Sequence, residues 1–115
     1  MKALELYPAP LSKAYFDREG SIQMPKVSGC YALCRFDGVI FYIGQAKNIQ
    51  LRIKQHLNNP QKTAKTEFGT PSVVYFMEYP PEKLDSLENT WIQSYKRKHA
   101  GCLPLLNKVE APTGI

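Results

Sequence analysis

Gly29-Cys30-Tyr31 and, after ten intervening residues, Tyr42-Ile43-Gly44 put two tyrosines where adjacent strands could hold them near one another. Arg52 and His56 follow one helical turn apart, and Glu88 stands later among the apolar positions of a helix-like segment. These residue types together suit in-line attack of water on a phosphodiester with one metal ion. Arginine offers a planar, permanently charged donor fork that can hold a phosphate oxygen and stabilise the charge developing on it. Histidine can orient water, move a proton or contact phosphate. Tyrosine titrates near 10 and becomes a base only beside positive charge or a metal, which Arg52 and an ion on Glu88 could supply. A carboxylate on a core-facing stripe needs a partner, because an unpaired buried charge is costly. That partner is either a divalent metal, for which a hard oxygen is suited, or an arginine, with Arg52 the obvious candidate. Taken singly, each residue has a plainer reading as a surface arginine, a structural histidine or sheet tyrosines.

The elements that must position these groups are readable from periodicity. Cys30 to Phe36 and Val39 to Ile43 are aromatic and apolar runs separated by Asp37-Gly38, a strong hairpin signal because both residues tolerate the positive φ of a type I′ turn. Asn48 can cap a helix whose Ile49, Ile53 and Leu57 recur at four-residue steps, leaving Arg52 and His56 on the neighbouring face. Asn58-Asn59-Pro60 ends that helix, and Gln61 to Pro71 reads as a basic loop. Ser72 to Tyr79 is a third strand. Pro80 and Pro81 then open a helix with Leu84, Leu87, Trp91, Ile92 and Tyr95 on one stripe, Glu88 inside it and Lys96-Arg97-Lys98 at its C-terminal end. Residues 1–27 read as an arm over the core, with one short helix and no legible function; 28–108 form the domain, and 109–115 a tail.

At 115 residues the chain makes one domain. Its apolar runs are far shorter than the roughly 20 residues of a membrane helix, and an acid at Glu5 interrupts any secretion signal, so no export is expected. Three cysteines without such a signal argue for reduced thiols and a cytoplasmic location. Cys30, Cys34, His99 and Cys102 could in principle hold zinc, but small buried thiols packing as hydrophobes suit the spacing better. The net charge of +5 is uneven: Lys47, Arg52, Lys54, Lys62 and Lys65 lie between Gly38 and Thr66 with no acid among them. Such a stretch fits a phosphate backbone, or else a solvated basic loop.

Gly29-Cys30-Tyr31, Tyr42-Ile43-Gly44-Gln45-Ala46-Lys47-Asn48, Arg52, His56, Glu88 and Pro104-Leu105-Leu106-Asn107 together resemble the GIY-YIG nuclease superfamily over roughly residues 28 to 108. The resemblance implies an α+β fold, a three-stranded antiparallel sheet flanked by helices, and cleavage of DNA phosphodiesters with Mg2+ or Mn2+. It implies Glu88 as the metal-binding glutamate, Arg52 as the catalytic arginine, Tyr31 and Tyr42 as the motif tyrosines with Tyr31 favoured as base, His56 as their companion, and Asn107 as the asparagine that helps hold the site. Two features depart from the family pattern. Cys30 replaces an isoleucine or valine, and the interval from Glu88 to Asn107 is longer than in the repair-nuclease branch. No catalytic position is visibly lost, which favours activity over the alternative, a catalytically weak nucleic-acid-binding module on the same scaffold. Lys47, Arg52, Lys54, Lys62 and Lys65 are the expected contacts to DNA, double-stranded or branched. Specificity is left to the arm, a homodimer or a protein partner.

Overall fold

A computed structural model of the chain describes residues 1–110, with side chains through Asn107. Four antiparallel strands, β1 (Ser12–Tyr15), β2 (Gly29–Cys34), β3 (Ile40–Ala46) and β4 (Val73–Glu78), lie in the order β1-β4-β2-β3. The helices are α1 (Arg18–Gln23), α2 (Ile49–Leu57), α3 (Pro60–Thr63), α4 (Leu84–Lys98) and α5 (Leu105–Glu110). The fold is α+β, and its sheet has one strand more than expected. The additional strand comes from the arm: Ser12–Tyr15 pairs along β4, from Ser12 opposite Phe76 to Tyr15 opposite Val73. The expected tail from residue 109 begins within α5, and 111–115 lie outside the described residues.

β2 is central and buried along its whole length, which is why Cys30 to Cys34 reads as a continuous apolar run rather than an alternating one. Its side chains still alternate between two cores. Cys30, Ala32 and Cys34 join Ile43 beneath α4, packed on Leu84, Leu87 and Trp91. Tyr31 and Leu33 face the other way, with Val74, Ile49 and Ile53 on the α2 side. The arm closes the α4 side: Ala3 and Leu6 enter that core, and the Trp91 indole donates to the Pro8 carbonyl at 3.0 Å.

The β2–β3 turn departs from the type I′ expectation. Gly38 has φ +92° while Asp37 does not enter the positive region, the Gly38 amide donates to the Arg35 carbonyl at 2.8 Å, and the register shifts between Leu33 and Cys34. This is a turn closed by a glycine bulge. Asp37 instead accepts from Arg35 through both carboxylate oxygens, at 2.9 and 2.7 Å, and that ion pair holds its carboxyl down at about 2.

After α2, Asn59 caps a second short helix by accepting from the Gln61 amide at 3.0 Å, with Pro60 at its first turn. Part of the expected basic loop is therefore α3. Its single turn carries Lys62 inward, where the residue is fully buried.

Candidate active site at the β3 edge

Tyr31 pairs across the strands with Gly44, and Leu33 with Tyr42, so the two tyrosines share the α2 face on a diagonal. The glycine is required there. A Cβ on Gly44 would lie 2.6 Å from the Tyr31 hydroxyl oxygen and 2.8 Å from Cε1 of Tyr42. The space it leaves lets the two rings approach to 6.1 Å between centroids.

His56 completes this cluster from α2, whose start is fixed by Asn48 accepting from the Leu51 amide at 3.0 Å. Its Nε2 lies 2.6 Å from the Tyr31 hydroxyl, a buried hydrogen bond, and its ring meets Tyr42 edge-on at 5.2 Å. Tyr31 is fully buried. Tyr42 is only partly so and is the ring nearer the surface.

Glu88 projects from α4, on the opposite face of the sheet, and meets the tyrosine side around the β3 edge. The link is Gln45. Its side-chain Nε2 donates to Asp85 Oδ1 at 2.7 Å and to Glu88 Oε1 at 3.0 Å, while its backbone carbonyl accepts from Arg52 Nη1 at 3.1 Å. Arg52 is exposed and binds this carbonyl rather than forming the direct ion pair considered for Glu88. Burial raises the Glu88 carboxyl above its ordinary value. The Gln45 hydrogen bond opposes this, Asp85 one turn earlier raises it further, and the Arg52 charge lowers it.

Asn107 reaches the same edge from α5. Its Oδ1 accepts from the Ile43 amide and its Nδ2 donates to the Ile43 carbonyl, both at 2.9 Å. The side-chain amide thus substitutes for one residue of a neighbouring strand and fixes β3 between Tyr42 and Gly44.

The five basic residues do not form one patch. Lys47 and Arg52 line a cleft of about 380 Å³ beside Gln45. Exposed Lys54 lines another, between α1 and α2, with Arg18, and Lys65 is exposed further along the chain. Lys62 is no surface contact: its Nζ lies 4.7 Å from the centroid of the Tyr42 ring. Cys30 and Cys34 are buried on the α4 face and Cys102 is exposed. Burial drives the Cys30 thiol up to about 12 and raises Cys34 as well, as suits apolar packing. Among the described residues no helix is long and apolar enough to cross a membrane.

The family model of the GIY-YIG catalytic domain matches residues 27–100. The chain belongs to the GIY-YIG catalytic domain family. It is also 34% identical over 80 residues to the UvrABC system protein C of Methanococcus maripaludis, an alignment that covers 66% of this chain and 15% of that protein. The match therefore spans a small part of the relative's length.

For this GIY-YIG domain the divalent metal expected of the family can be tested against the donor set. Glu88 is a half-buried carboxylate bonded to a neutral amide, with Asp85 sharing that amide. A hard, incompletely neutralised oxygen at a solvent-reachable edge fits Mg2+ or Mn2+, which bind through one or two carboxylates and retain waters.

Sequence reasoning missed Gln45 as the hub and Asp85 as its second acceptor. Strand alternation was the available signal, since Gln45 lies two residues after core-facing Ile43 and so shares its face.

Proposed function

We propose that this chain is a divalent-metal-dependent endonuclease that hydrolyses DNA phosphodiesters. The observation that carries the reading is the joint attachment of Arg52 and Glu88 to Gln45, across an edge whose other side holds the Tyr31–His56 hydrogen bond. An arginine and a carboxylate of opposite charge stand over one stretch of backbone, with proton-handling groups adjacent.

Glu88 would hold the Mg2+ or Mn2+, which when bound supplies Lewis acidity toward the scissile phosphate and its leaving oxygen. Arg52 and Lys47, in the cleft beside Gln45, receive the phosphate backbone, and Arg52 stabilises the negative charge that builds on it. Water attacks phosphorus in line with the leaving oxygen and loses its proton to the tyrosine–histidine cluster. Within that cluster Tyr31 is backed by His56, and Tyr42 is the more accessible phenol. The leaving oxygen departs as the P–O bond breaks and takes a proton from solvent. Asn107 holds the β3 backbone in register throughout.

The test is cleavage of plasmid and branched DNA with Mg2+ or Mn2+, then with EDTA, by the wild type and by purified, folded Glu88→Gln and Arg52→Ala. Losses of about 100-fold or more are expected for each variant. Near-wild-type cutting by either one sinks its assignment. Salt-sensitive DNA binding without any cutting transfers the reading to a binding module.

A further inference from the structure

Lys62 was expected at the surface against phosphate, yet the fold buries it completely. An ammonium is among the least favourable groups to take out of water, so a lysine retained at such a site points to use of its charge. One group that the charge meets is the face of Tyr42, at 4.7 Å from the ring centroid. That is well inside the distance at which a cation is attracted to the π-face, and the attraction is strongest when both are desolvated.

Other groups also pack against the Tyr42 ring. His56 abuts it edge-on, with planes at 69°, and the missing side chain at Gly44 leaves room for Cε1. Tyr31 lies at a tilt of 31°. These contacts come from β2, β3 and α2, and Lys62 adds one from α3. That helix is a single turn set by Asn59 and Pro60.

We propose that Lys62 is a positioning residue: its buried ammonium holds the Tyr42 ring by its face, so that the phenol is presented to the reacting phosphate in one orientation. The catalytic consequence rests on the nuclease reading, whereas the contact itself does not. Charge is the essential property. A neutral side chain of similar length fills the same volume without the attraction, and arginine retains the attraction in another shape.

The test compares Lys62→Met and Lys62→Arg with the wild type in two independent measurements. In the first, NMR of the DNA-free protein follows the ε-methylene protons of Lys62, which the Tyr42 ring current shifts upfield. The shift is expected in the wild type and is lost in Tyr42→Leu; its absence from the wild type overturns the proposal. In the second, folded Lys62→Met loses about tenfold or more in kcat with KM within about twofold, because ground-state DNA binding is untouched, and Lys62→Arg recovers most of the rate. Wild-type kcat in Lys62→Met, or a rise in KM alone, overturns the positioning role. Should Lys62→Met fail to fold, Lys62→Arg decides: retained cutting supports a role for the charge, and a folded, inactive Lys62→Arg refutes it. A wild-type protein that cuts no DNA refutes the nuclease reading, and the Lys62–Tyr42 contact then stands or falls on the NMR measurement.

Discussion

On its α4 side the sheet buries Cys30, Ala32, Cys34 and Ile43 against Leu84, Leu87 and Trp91, whereas on its α2 side it buries Tyr31, His56 and Lys62 alongside Leu33, Ile49 and Ile53. The first core is held by contact area and volume, which are non-directional and add up atom by atom. The second contains groups whose value depends on orientation: a hydroxyl at 2.6 Å from an imidazole and a cation over a ring. Side chains on one central strand, β2, serve both. The two faces divide the labour: one is packed by volume, the other holds oriented polar contacts, and the β3 edge joins them.

The largest break in that comparison is expected from Trp91→Ala. The side chain is fully buried and pins the arm through its indole hydrogen bond, so about 3–5 kcal/mol should be lost, read as a fall in the denaturant midpoint or outright unfolding. A loss under about 1 kcal/mol would show that the α4 core is not what holds the chain together. Asn107→Ala strikes the seam rather than either face. It removes both bonds to Ile43 and should cost about 1–3 kcal/mol, with faster hydrogen exchange at the Ile43 amide. Unchanged exchange there would mean that the clamp carries no load.

The smallest effect concerns Glu88, and here the sign matters. Burial raises its folded carboxyl above the unfolded value, so the folded chain binds the proton more tightly. Stability from this group is therefore fully present in acid below the unfolded value and declines as pH rises through the folded one. Without metal, Glu88→Gln should be slightly more thermostable than the wild type at neutral pH, by no more than a few degrees, and equal to it in acid. Added Mg2+ or Mn2+ should raise the Tm of the wild type and leave the glutamine variant unchanged. A metal response in both, or in neither, separates Glu88 from the ion.

Much of this arrangement is legible in the sequence alone. The Asp37-Gly38 break between two apolar runs marked the hairpin, and four-residue apolar spacing marked α2 and α4, because each buries a continuous face with its own period. β1 was not legible: four mostly exposed residues carry no alternation, and only pairing with β4 makes them a strand. Lys62 was misjudged for a related reason, since a one-turn helix hidden in a polar stretch has too few residues to show a period. Tyr31 and Tyr42 were correctly placed near one another by the hairpin. That Glu88 reaches the site from the opposite face of the sheet depends on the packing of α4, which one helix's stripe does not disclose.

Asn107 has one more consequence. The amide and carbonyl of Ile43 belong to an outer strand, and a bare pair there is an invitation to any extended segment from another molecule. By occupying both groups, a residue made more than sixty positions later guards the chain against strand exchange. During synthesis this protection arrives after the hairpin itself, so shortening the protein ahead of residue 107 should produce oligomers and aggregates before it produces a clean loss of fold.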